Sequence, residues 1–303
     1  MTEKVLISGG TGLLGSRLTE ILIKKGYHVA HLSRSKNKST AIETIVWDVN
    51  QMQLDPKSIE KYDYIIHLAG AGIVDEAWTE KRKKTIIDSR VNSTNLLKQA
   101  IAVNQKKPKA FVAASAIGFY GIITSEHIYT ENDQAGKDFL ASTCELWEQS
   151  SEELKGFGFP ISKIRIGLVL SKHGGALKEI AKPVKFGLGA ALGSGKQYMP
   201  WIHIDDLCQL FIYCFENQKS AVFNGVAPNQ MNNKEFTKTL AKVLGKPFFL
   251  PNVPSFVLKL ILGDRAQLVL EGSRISAEKV KKDGFAYQFE DLETALKDIY
   301  KAN

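Results

Sequence analysis

The chain of 303 residues carries 40 Lys and Arg against 32 Asp and Glu, a net charge of +8, with 44% apolar and 24% charged residues. These values are those of an ordinary globular protein; they exclude disordered, collagen-like and low-complexity classes and leave enough apolar material for one large domain or two modest ones. The positive balance alone leaves nucleic acid, an anionic membrane, a phosphorylated ligand and plain solvation open.

In chain order, Met1 to Lys4 run straight into Val5-Leu6-Ile7, leaving no room for a signal peptide, and no later apolar stretch approaches the ~18 residues of a membrane span. Cys144, Cys208 and Cys214 form no C-x-x-C pair. A soluble chain in a reducing, cytoplasmic compartment is therefore expected, with no membrane partner. Short β-branched runs at 5–8, 28–33, 44–49, 64–68, 110–114, 161–170 and 222–226 alternate with helical patterns at 13–25, 83–103 and 142–154. Such alternation predicts an α/β fold, a Rossmann-type doubly wound parallel sheet with helices on both faces. After residue 170 glycines crowd together, which reads as an irregular, loop-rich lobe rather than another βα unit. From Asn232 onward, helices joined by proline-marked turns are expected. The division is 1–230 for the nucleotide-binding domain, with 171–200 contributing to a substrate lobe, and 231–303 for a smaller, mostly helical C-terminal lobe.

The segment Ser8-Gly9-Gly10-Thr11-Gly12-Leu13-Leu14-Gly15 follows the first strand and opens the first helix. A pyrophosphate site needs glycines there, for a tight turn, for backbone approach to the anion and for close helix packing. At the end of the second strand a carboxylate would bind the ribose of NAD; the chain reads Ser33-Arg34-Ser35-Lys36-Asn37-Lys38 instead. A hydroxyl and cations suit a 2′-phosphate, so NADP is favoured as cofactor, with Arg34 the principal contact and Lys36 and Lys38 read as a solvated turn. Asp48 is placed either against the adenine amino group or as a cap. Leu68-Ala69-Gly70 are small enough to let backbone lie against the cofactor, and Val169 is counted with the cofactor contacts.

These motifs resemble the extended short-chain dehydrogenase/reductase superfamily, the NAD-dependent epimerase/dehydratases. The resemblance rests on the Gly9, Gly12, Gly15 spacing, Asp48, Leu68-Ala69-Gly70, Ser115 and Tyr120-Gly121. More narrowly, Ser89-Arg90-Val91, Asp138-Phe139-Leu140-Ala141, Trp147-Glu148, Arg165-Ile166-Gly167, Trp201-Ile202-His203-Ile204-Asp205-Asp206 and Gly284-Phe285 are similar to an atypical epimerase-family subgroup with a C-terminal domain of unknown function. Active superfamily members use a Ser with a Tyr-x-x-x-Lys pair; aligned on Glu148, Leu140 stands where the Tyr belongs and Cys144 where the Lys belongs. Neither supplies that chemistry. Arg90 replaces an Asn of the superfamily pattern and is read as pairing with a cofactor phosphate or an anionic substrate, against a surface ion pair with Asp88 or Glu43.

The catalytic candidates are Ser115, to orient a substrate oxygen or the nicotinamide amide, and Tyr120 as an alternative acid, against a Tyr-Gly pair that only shapes its loop. Cys144 reads as packed, and His203 with Asp205 and Asp206 as a structural network. Residues 187–195 read as a mobile rim over the substrate. No histidine spacing indicates a metal, and the charge blocks lack the aromatics of a nucleic-acid site. The reading is an NADP(H)-binding oxidoreductase or epimerase-like enzyme acting on a small molecule; the alternative is a catalytically silent NADP(H) sensor. The resemblance also allows a homodimer through helices 83–103 and 142–154.

Overall fold

The structure is a computed structural model describing residues 2–35 and 41–301. Lys36, Asn37 and Lys38 lie outside the described residues. In chain order the strands are β1 (Lys4–Ser8), β2 (His28–Ser33), β3 (Glu43–Val46), β4 (Tyr64–His67), β5 (Ala110–Ala116), β6 (Ile128–Tyr129), β7 (Ile161–Ile166), β8 (Leu168–Leu170), β9 (Trp201–His203), β10 (Val222–Gly225) and β11 (Arg274–Ile275). Seven of them form one parallel sheet in the order β3-β2-β1-β4-β5-β7-β10. The chain steps outward from β1 to β3, then returns to β4 on the other side of β1. That reversal opens a crevice at the C-terminal ends of β1 and β4, where open α/β sheets bind ligands.

Side-chain alternation along the strands builds a core on each face. Val5 and Ile7 of β1 pack with Leu18 and Leu22 of the helix Leu13–Lys24 and Leu207 and Phe211 of the helix Ile204–Glu216. Leu6 points the other way, toward Leu96, Leu97 and Ile101 of the helix Glu80–Val103. A third cluster gathers the helices Gly175–Lys185, Asn233–Val243 and Leu292–Tyr300 around Trp201. No helix among the described residues is long and apolar enough to cross a membrane.

Two expectations need correction. The run 161–170 is two strands, because Gly167 breaks it where a Cβ would stand 2.6 Å from the Pro200 carbonyl oxygen. The region after residue 170 is also more regular than its glycines suggest. It holds the helix Gly175–Lys185, with Pro183 inside it, and β9, which pairs with β8. Within residues 187–195, read as a mobile rim, Leu192 is anchored: Asn233 Oδ1 accepts from Leu192 N at 2.7 Å, and Gln197 Nε2 donates to the carbonyls of Leu192 and Val269 at 3.0 and 2.7 Å.

Candidate functional site

The glycine loop is built by close approach. Gly9 takes φ +71°, and a Cβ on it would lie 3.1 Å from the backbone of Leu68, so β4 runs tightly beside the loop. At Gly10 a Cβ would sit 2.3 Å from the His31 ring, and at Gly15 the same distance from the Gly9 carbonyl oxygen. The helix Leu13–Lys24 starts at Gly12 with no side-chain cap, and its first turn carries no acidic residue. Free N–H groups and the positive end of the helix therefore face the crevice, as an anion site requires. An open groove of about 760 Å³ runs from Thr11, Gly12 and Leu13 past Lys172 and His173 to His203.

A buried polar network supports the floor of this loop. Ser8 Oγ accepts from the backbone N–H of Leu68 and Ala69 at 3.0 and 3.2 Å, which occupies both lone pairs. Its proton must then go to His67 Nδ1 at 2.7 Å, leaving the other ring nitrogen to donate toward Ser93 and Thr94 at 3.2 and 3.1 Å. Burial pushes the His67 pKa down to about 3, so the ring stays neutral. Sequence reasoning missed the roles of His31 and His67 because neither has motif spacing; Gly10, which makes room for the His31 ring, was the only signal.

At the end of β2, Arg34 is exposed beside the half-buried Ser33 and makes no ion pair among the described residues. Asp48 is exposed past β3; its Oδ1 accepts from Asn50 N at 2.9 Å and Gln51 N at 3.0 Å, a turn cap that leaves Oδ2 without a partner among the described residues. Val169 is half-buried on β8.

A second network lies at the end of β5. Arg165 grips Glu148 with Nε at 2.8 Å from Oε1 and Nη2 at 2.9 Å from Oε2, both residues being buried. Ser115 Oγ donates to the same Oε1 at 2.7 Å. Arg165 Nη1 donates to the Tyr120 hydroxyl at 3.0 Å, which donates onward to Asn224 Oδ1 at 2.6 Å. The structure thus joins Ser115 and Tyr120 through one ion pair. Tyr120 nonetheless needs correction as the alternative acid. Its hydroxyl is buried, both donates and accepts within the protein, and is pushed up to about 12 by burial. Gly121 explains the Tyr-Gly pair: it takes φ +92°, and a Cβ at Gly136 would meet its Cα at 2.7 Å.

Leu140 and Cys144 are both buried, and burial pushes the Cys144 thiol up to about 12, so it packs as a small apolar group. The surface ion pair considered for Arg90 is also corrected. Asp88 pairs with Lys84 and Glu43 with Lys61, while Arg90 is buried with Nη1 donating to the carbonyls of Ala71 and Ile86 at 3.1 and 2.9 Å. His203 caps the helix Ile204–Glu216 by accepting from Asp205 N at 3.1 Å. Asp205 pairs with Arg17, and Asp206 accepts from the backbone of Gln288 and Phe289 at 2.8 and 2.9 Å, the structural network expected.

Comparisons with known proteins agree with this geometry. The chain is 35% identical over 297 residues to the epimerase family protein YfhF of Bacillus subtilis, with 97% of each chain covered. It is also 35% identical to the human epimerase family protein SDR39U1, covering 98% of this chain and 99% of that one. A crystal structure described as human SDR39U1 (isoform 2) with NADPH superposes with a TM-score of 0.88 at 33% identity, covering 98% of both chains. Residues 253–299 match a domain of unknown function. With residues 5–225 matching the NAD dependent epimerase/dehydratase family, the chain belongs to that family.

Proposed function

We propose that the protein binds NADP(H) and uses it in an oxidoreductase or epimerase-like reaction on a small molecule. The observation carrying this reading is the cradle at Gly9, Gly10 and Gly15, where a Cβ would collide with neighbouring atoms, together with Arg34 at the strand end where NAD binders carry a carboxylate. The NADPH of the related human structure supports it. Backbone N–H groups of Thr11, Leu13 and Leu14 would hold the pyrophosphate, with Gly12, whose own N–H closes the turn onto the Gly9 carbonyl at 3.0 Å, letting the backbone approach it; Ser33 and Arg34 would hold the 2′-phosphate, and Asp48 Oδ2 the adenine amino group. Leu68, Ala69, Gly70 and Val169 would line the path toward the nicotinamide. When bound, the dinucleotide supplies a hydride donor or acceptor.

The chain's own contribution follows from its hydrogen bonds. Glu148, gripped by Arg165, accepts the Ser115 hydrogen bond, so the buried Ser115 oxygen keeps only acceptor lone pairs for a further partner. It would fix a hydrogen-bond donor: a substrate hydroxyl or the nicotinamide amide. Tyr120 acts as a positioning residue through Arg165, and the transferred proton comes from a bound water or a substrate group. Three buried free thiols are consistent with a reducing, cytoplasmic compartment.

The second reading, an NADP(H)-binding sensor without turnover, is favoured by one observation: Leu140 and Cys144 fill the usual acid and cation positions with packed, proton-poor groups. NADPH oxidation against a panel of aldehydes and keto sugars separates the two readings. Turnover that falls at least about tenfold in Ser115→Ala supports the enzyme; equal rates in both proteins contradict the role of Ser115, and no oxidation by either favours the sensor.

A further inference from the structure

Arg90 is a buried guanidinium with no ion pair among the described residues. It lies in the helix Glu80–Val103, its cationic neighbour is Arg82, the nearby Cys144 thiol is protonated, and burial lowers its pKa. Buried charges of this kind are costly unless paired. Nη1 is held by the carbonyls of Ala71 and Ile86, and the guanidinium lies 4.9 Å from the centre of the Trp147 ring. Gly70 makes room for it, since a Cβ there would come within 3.1 Å of the guanidinium carbon. Nε and Nη2 donate to no acceptor among the described residues, and neither is sealed inside the protein. This leaves one edge of the fork, two parallel N–H donors, without a protein partner among the described residues.

This edge lies next to the pyrophosphate cradle, on the residues that follow it after β4. The glycine loop lies against Leu68 and Ala69, while Arg90 reaches Gly70 and Ala71 and stacks on Trp147 of the helix Phe139–Glu152. Its contact there, Trp147, is the residue before Glu148, which holds Ser115. We propose that Arg90 is the receptor for an oxyanion carried by the substrate, a carboxylate or a phosphate gripped by Nε and Nη2 on the Ser115 side of the crevice. The inference deepens the NADP(H) reading and rests on it, because that reading assigns the cofactor's own phosphates to the glycine loop and Arg34. A fork presenting two parallel donors matches two oxygens of one anion.

The test uses the full chain saturated with NADPH and titrated separately with acetate and inorganic phosphate at constant ionic strength. The side-chain Nε–H resonance of Arg90, assigned through its contact with Trp147, is followed by NMR. A saturable shift is expected with at least one anion, and the one that binds more tightly identifies the oxyanion. Arg90→Lys, which keeps the charge but removes the second donor, should weaken that binding by about tenfold or more while changing the NADPH Kd by less than about threefold. No saturable shift in the wild-type protein overturns the proposal, whether or not the variant folds. A tenfold loss of NADPH affinity in Arg90→Lys also overturns it, by assigning Arg90 to the cofactor. Failure of the wild-type protein to bind NADPH would instead defeat the cofactor reading, and the same anion titration without NADPH would still report on Arg90.

Discussion

Glu148 and Arg165 form a buried, bidentate ion pair to which both catalytic candidates are attached, Ser115 through the carboxylate and Tyr120 through the guanidinium. The pair spans the helix Phe139–Glu152 and β7, so it fixes the end of β5 from two sides. Removing one partner leaves the other charged and buried. Glu148→Gln should therefore lower stability by about 3–5 kcal/mol in urea unfolding. The double variant Glu148→Leu/Arg165→Met should lose less than Glu148→Leu alone; a larger loss would mean that the pair's own attraction, and not the orphaned charge, dominates.

The glycine loop gives a test with an internal control. Gly10→Ala drives a methyl into the His31 ring and should weaken NADPH binding about tenfold or more, with His31→Ala in the same chain restoring part of the loss. Gly15→Ala meets backbone of Gly9 and Gly10 at 2.3 and 2.6 Å, and no side-chain deletion should rescue it. Rescue of Gly15→Ala by His31→Ala would contradict this packing.

Stability should fall in acid through His67. Its folded pKa is depressed to about 3, below the ordinary value of 6.5, so the unfolded chain binds a proton that the folded chain refuses between these values. The contribution is fully present above pH ~6.5 and is lost as pH falls toward 3, at up to about 1.4 kcal/mol per pH unit. His31 and His203, also lowered by burial, act in the same direction. Chemical denaturation between pH 8 and pH 5 measures the slope, and His67→Gln should flatten it.

The three thiols should resist alkylation in the native state. Cys144, Cys208 and Cys214 are buried and all pushed up by burial, so the reactive thiolate is scarce and enclosed. Mass spectrometry after iodoacetamide treatment should find modification only at the rate of unfolding; rapid labelling of Cys144 would instead identify an exposed, activated thiol.

The parallel sheet and its glycine loop were legible because they rest on local signals: β-branched runs, helical spacing and glycines at a strand end. The break at Gly167 was not, since it depends on Pro200 and Val226, which are distant in sequence. Tyr120 illustrates the same limit at the site. Its neighbours in the chain suggested a phenol near the cleft, but its surroundings are set by Arg165 and Asn224 from other strands. Arg90 was legible as a departure from a pattern, while its lack of an ion pair among the described residues could be learned only from the packing around it.

The cofactor preference is the central claim, and paired fluorescence titrations with NADPH and NADH, on the wild-type protein and on Arg34→Ala, test it most directly. The account predicts that the wild-type protein binds NADPH at least about tenfold more tightly than NADH, and that Arg34→Ala removes most of that preference while leaving NADH affinity within about threefold. Equal affinity of the wild-type protein for the two dinucleotides would contradict it.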